Sequence, residues 1–76
     1  MTSRELPLEA VRRLIKKAGA ERVEDDAARE LRSTLEEISE RIGTKAVGLA
    51  SHAKRKTIKA ADVRLALTDI IREQLV

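Results

Sequence analysis

Apolar positions recur along this chain mostly at spacings of three and four residues. Leu8, Val11, Leu14, Ile15 and Ala18 form the first stripe, the spacing of one helix face. Pro7 fits the first helical position, where its missing N–H is harmless. Lys16 and Lys17 fall in the last turn, where the helix dipole favours cations. Gly19 reads as the stop. The pattern predicts a first helix over about 7–18.

A second and longer stripe follows the connection "GAERV". Leu31, Leu35, Ile38, Ile42, Ala46, Leu49 and Ala53 continue it without an interrupting proline. The acids of "EDDA" suit a helix start, with Asp25 or a neighbour as cap. The second helix is predicted from about 25 to 53. Gly43 and Gly48 lie inside it, each costing about 1 kcal/mol relative to alanine. A close backbone approach at a helix crossing would explain them. "KRKTIK" is the second connection, with Ile58 as its apolar anchor. Val63, Ala66, Leu67, Ile70, Ile71 and Leu75 then mark a third helix over about 60–75. The expectation is one all-α domain, residues 1–76, ordered short helix, long helix, short helix.

The lengths imply more than one copy. A helix of about 28 residues is about 42 Å long. A compact globule of this size has a radius of gyration of about 11 Å, so a diameter of about 30 Å. The short helices cannot cover a rod that overshoots its own domain. Apolar surface left in water forgoes about 25 cal/mol per Å². The pattern therefore predicts an obligate dimer in which two long helices cross.

Composition removes several functions. There is no cysteine and only one histidine, His52, so neither a thiolate site nor a histidine-rich metal site fits within one subunit. No metal or other cofactor is expected. No apolar run approaches 18 residues and no signal-peptide pattern occurs, so no membrane partner is expected. The expected location is the cytoplasm, at the nucleoid if DNA is bound. Phe, Trp and Tyr are all absent, which argues against stacking on single-stranded bases.

Charge points to an anionic partner. Residues 1–22 hold six Lys/Arg against three acids, residues 23–53 hold four against seven, and residues 54–76 hold six against three. The chain is basic at both ends and acidic in the middle. If the long helices cross antiparallel, Arg22 of one copy and the Lys54–Lys59 cluster of the other merge into one patch, present twice. An isolated charge run is ordinarily a solvated loop; the second cluster and the long helix reverse that reading here. His52 and Asp62 could form an acid–base pair, but no nucleophile set accompanies them, so no catalytic residues and no enzyme activity are expected.

"ELPLEAVRRLIKKAGAERVEDDA" together with "HAKRKTIKAADVRLAL" resembles the archaeal histones over nearly the whole chain. "HAKRKT" is also similar to one eukaryotic core histone, and archaeal members commonly carry glycine where Lys54 stands. The resemblance implies a histone fold, an intertwined handshake dimer, and bending and wrapping of double-stranded DNA without sequence reading. It implies tetramers or longer polymers on DNA, and a possible heterodimer with a second histone.

Residue by residue, it assigns Arg13 to the minor groove, Lys16 and Lys17 to phosphate, and Arg22 to the minor groove at loop one. Lys56, Thr57 and Lys59 would face phosphate at loop two. Arg55 would pair with Asp62 and brace that loop. Leu49, His52 and Asp62 would meet the next dimer, where a histidine makes assembly sensitive to pH. Gly19 would lie where successive superhelical turns stack. Gly43 and Gly48 depart from the family pattern, Gly48 standing where lysine is common, and Ser33 and Thr68 stand where charged residues often help stack adjacent turns. Ile71, Leu75 and Val76 would extend the dimer core or make a new contact. The alternative function is a histone-fold interaction module of a transcription factor, with an unrelated helical-hairpin dimer behind it.

Overall fold

The computed structural model describes residues 5–75, with the side chains of 74 and 75 left aside. Three helices make up the regular structure of these residues: α1 (Leu8–Lys17), α2 (Asp25–His52) and α3 (Ala60–Leu75). No strand occurs among the described residues. The chain divides into two compact units, Met1–Ile38 and Ser39–Val76, and α2 contributes to both.

In the first unit, α1 starts one residue later than its proline suggested. Pro7 is the N-cap, at φ −64° and ψ 133°. Its carbonyl accepts the first helical bond from the Val11 amide at 3.3 Å. Proline serves there because the cap residue is extended and its own N–H is not needed. At the other end the Gly19 amide reaches back to the Lys16 carbonyl at 2.9 Å. Gly19 has φ +120°, a conformation that side chains oppose. The buried apolar residues of this unit are Val11 and Ala28. Glu36 is also buried, and its carboxylate accepts the Leu6 amide at 2.9 Å. That bond fastens the segment before α1 to α2.

In the second unit, α2 ends in a Schellman motif. The Lys54 amide bonds the Ser51 carbonyl at 2.9 Å, and the Arg55 amide bonds the Ala50 carbonyl at 2.8 Å. Together they satisfy carbonyls that the helix leaves orphaned. The motif needs a left-handed residue, and Lys54 takes it with φ 62°. Ala46, Ala50, Ala66 and Ile70 are the buried apolar side chains here. Lys45 and Glu73 join α2 to α3 through an ion pair.

The long stripe of α2 is only partly covered. Leu31, Leu35, Ile42 and Leu49 are half-buried, and Ile38 is exposed. On α3, Val63, Leu67 and Ile71 remain exposed beside the buried Ile70. The Leu75 side chain and all of Val76 lie outside the described residues. An added Cβ at Gly43 or Gly48 would meet nothing within 4 Å. No backbone of the same chain approaches these glycines, so the close approach expected of them is not found within one copy.

Candidate nucleic-acid interface

Two connections carry the candidate residues, and each is closed by an arginine. In the second unit the guanidinium of Arg55 meets the carboxylate of Asp62 end-on, through Nη1 and Nη2 at 3.0 and 2.9 Å. The nitrogen on the 3.0 Å bond also donates to the Thr57 carbonyl at 2.9 Å. Asp62 lies in the first turn of α3 and accepts a third bond, from the Lys59 amide at 2.8 Å. That is the acidic half of a capping box, with a carboxylate reaching back to the N-cap amide. The Asp62 side chain is only 8% exposed. The Arg55 guanidinium, then the Lys59 amide, pull its carboxyl down to about 2. The same contact raises Arg55 further. All of Asp62's bonding serves the connection and the start of α3.

Around this brace the cations face water. Lys54, Lys56, Thr57 and Lys59 are exposed. The first two lysines have no ion-pair partner among the described residues, so their charge is uncompensated at short range. Bracing and cation presentation are therefore divided between neighbours: Arg55 holds the loop, and the residues on either side offer charge.

The first unit repeats the scheme with different residues. Arg12, on α1, donates to the Val23 carbonyl at 2.6 Å and to the Asp25 carboxylate at 2.6 Å. Its Nε bonds Glu9 at 3.2 Å. Asp25 is the first residue of α2, not its cap; its carboxylate goes to Arg12, which lowers its pKa while Asp25 raises that of Arg12. The sequence pattern does not single out Arg12, because its partner lies 13 positions along the chain. The one signal it offers is an arginine placed one helix ahead of an acid-rich helix start. Arg22, next to the clamped Val23, is exposed and unpaired among the described residues.

Arg13, Lys16 and Lys17 are exposed on α1. Their spacing of three and four residues puts them on one helix face. Gly19 follows two residues after Lys17, with open space where a side chain would stand. Leu49 is half-buried and His52 is exposed in the last turns of α2. Asp62 is turned into its own loop, so the three residues assigned to a contact between dimers differ in how much they offer. Among the described residues no group of His, Cys, Asp and Glu could hold a metal ion. No helix there is long and apolar enough to cross a membrane.

This arrangement can bind a polyanion by shape and charge. Unpaired cations sit on rigid connections, next to helix ends whose amides also favour phosphate. Comparison with known proteins agrees. A family model described as histone-like transcription factor (CBF/NF-Y) and archaeal histone matches residues 4–67. The chain is similar to one of the subunits of the archaeal histone HAN1 of Thermococcus zilligii, at 57% identity over 63 residues, covering 83% of this chain and 94% of that protein. It is also similar to "Probable archaeal histone 3" of Methanocaldococcus jannaschii, at 51% identity with the same coverage.

Proposed function

The chain belongs to the family of archaeal histones and histone-like CBF/NF-Y transcription factors, dimerising DNA-binding proteins rather than enzymes, and on that premise we propose that it packages double-stranded DNA as handshake dimers. The dimers would assemble into tetramers or longer polymers that bend and wrap the duplex without reading its sequence, at the nucleoid. One observation carries the reading: both connections present unpaired cations on a backbone fixed by an arginine–carboxylate clamp. A module that only binds proteins has no need to keep cations at helix one and at both loops.

In this proposal Arg13 and Arg22 enter the minor groove, while Lys16, Lys17, Lys56, Thr57 and Lys59 hold phosphates. Arg55 and Asp62 act by holding loop two in shape. Leu49 and His52 meet the next dimer, with Asp62 supporting that surface from below. Gly19 leaves room between stacked superhelical turns. A homodimer suffices for this scheme. The HAN1 relative is itself named as a subunit, so mixing with a second histone is the natural extension.

The test is a gel shift on random-sequence duplex across a salt series, followed by nuclease digestion of the complex. A regular protection ladder supports polymers, and one fixed fragment supports a closed tetramer. Dimerisation without any protection would favour the interaction module instead. Arg22→Ala is expected to weaken binding about equally on unrelated sequences. A cation in the minor groove also displaces counterions, so the salt slope should fall too, by up to about 0.9, the value of one phosphate neutralised. A sequence-dependent loss would contradict non-specific binding.

A further inference from the structure

Arg12 has no place in the DNA contacts proposed above, yet among the described residues it is the most heavily bonded cation of the first unit. Its side chain is 17% exposed, and it engages Glu9, Asp25 and the Val23 carbonyl together. Two acids already neutralise it, so it is poorly suited to hold a phosphate. Its carbonyl bond falls on the residue immediately after Arg22. Its carboxylate bond falls on the first residue of α2. The span from Val23 to Asp25 is therefore tied at both ends to one rigid planar group on α1.

We infer that Arg12 is a positioning residue for the loop-one DNA contact: through Val23 and Asp25 it fixes the backbone from which Arg22 projects. It does for loop one what Arg55 does for loop two, where a guanidinium likewise joins a loop carbonyl to a carboxylate in the first turn of the next helix. The parallel is physical. Each connection must hold an exposed cation still without spending that cation on an internal bond. A surface ion pair contributes little by itself. A bidentate fork spanning carbonyl and carboxylate adds a fixed direction, which a point charge cannot supply. Ordering the loop beforehand also lowers the entropy lost when Arg22 is immobilised on DNA.

The inference rests on the DNA-packaging reading, and Asp25→Asn separates the two. That change removes one negative charge and keeps the side chain's shape. Charge alone predicts tighter binding of random-sequence duplex. Loss of the clamp predicts several-fold weaker binding, with a salt slope moving toward that of Arg22→Ala. In the Arg22→Ala background the same change should leave binding unchanged or slightly tighter, because only the charge effect remains. Binding by Asp25→Asn as tight as, or tighter than, the native protein's would overturn the positioning role. An unchanged affinity for Arg22→Ala would instead remove the loop-one DNA contact itself. Amide exchange in the free protein tests the clamp without DNA: residues 20–24 should exchange faster in Asp25→Asn and in Arg12→Lys, while residues 54–58 do not change. Unaltered exchange at 20–24 in both variants would also overturn it.

Discussion

Asp62 shows how one side chain can be committed by its neighbours. Two bonds from Arg55 and one from the Lys59 amide hold its carboxylate, and together they depress its pKa from 3.8 to about 2. A depressed folded pKa stabilises the fold above the unfolded value. That contribution is lost as pH falls through the folded one. Titration of unfolding from pH 4 toward 2 should therefore show an acid arm to which Asp62 contributes. Asp62→Asn should be less stable than the native protein near neutral pH, and the difference should shrink as pH approaches 2. A constant difference across that range would mean that the carboxylate's charge is not what the brace uses. Sequence alone offered Asp62 two roles, one inside its loop and one between dimers. The family resemblance named both; only the geometry shows that its oxygens are already taken up locally. Arg12 is the opposite case. It reads as one more surface cation on α1, because a bond across 13 residues leaves no periodic trace.

At the scale of helices, much was legible because the information is local. The three-and-four spacing set the length of α2, the acids at 24–26 set its start, and Gly19 set the end of α1. The caps were less legible, since a single residue's shift changes their chemistry: Pro7 caps α1 where it was expected inside it, and of the residues offered for α2, Asp25 or a neighbour, it is Glu24 whose carbonyl takes the first helical bond. The end of α2 carries a testable cost. Lys54 occupies the left-handed position of the Schellman motif, which costs an L-residue roughly 1–2 kcal/mol. Glycine avoids that strain but loses more freedom on folding, by about 0.5–1 kcal/mol. Lys54→Gly should therefore stabilise the protein by about 0.5–1 kcal/mol, since strain relief exceeds the entropy term. The denaturant midpoint should rise with the m-value unchanged. A lower midpoint would show that the lysine side chain contributes an interaction larger than its backbone strain.

At the scale of the molecule, the decisive feature is how little one copy buries. Among the described residues the buried apolar side chains are Val11, Ala28, Ala46, Ala50, Ala66 and Ile70. Four of these six are alanines, too small to supply the burial that a stable domain requires. Large apolar residues stay exposed in both units: Leu14 and Ile38 in the first, and Val47, Val63, Leu65, Leu67 and Ile71 in the second. The sequence foretold this through the excess length of α2, but it could not show which positions one chain leaves uncovered. The glycines of α2 fit the same account, for no atom of their own chain explains them. A second copy is what such a surface requires, and Leu67 tests it sharply. Its side chain is 41% exposed in the single chain, so a monomer should tolerate Leu67→Glu within about 0.5 kcal/mol. A dimer that buries Leu67 should not. Sedimentation is expected to give the native protein twice the chain mass, with a melting temperature that rises with protein concentration, as linkage requires when only the folded state associates. Leu67→Glu should sediment as single chains, melt at a lower temperature and lose the concentration dependence. A native protein of single-chain mass, with a melting temperature independent of concentration, would remove the dimer and the packaging scheme built on it.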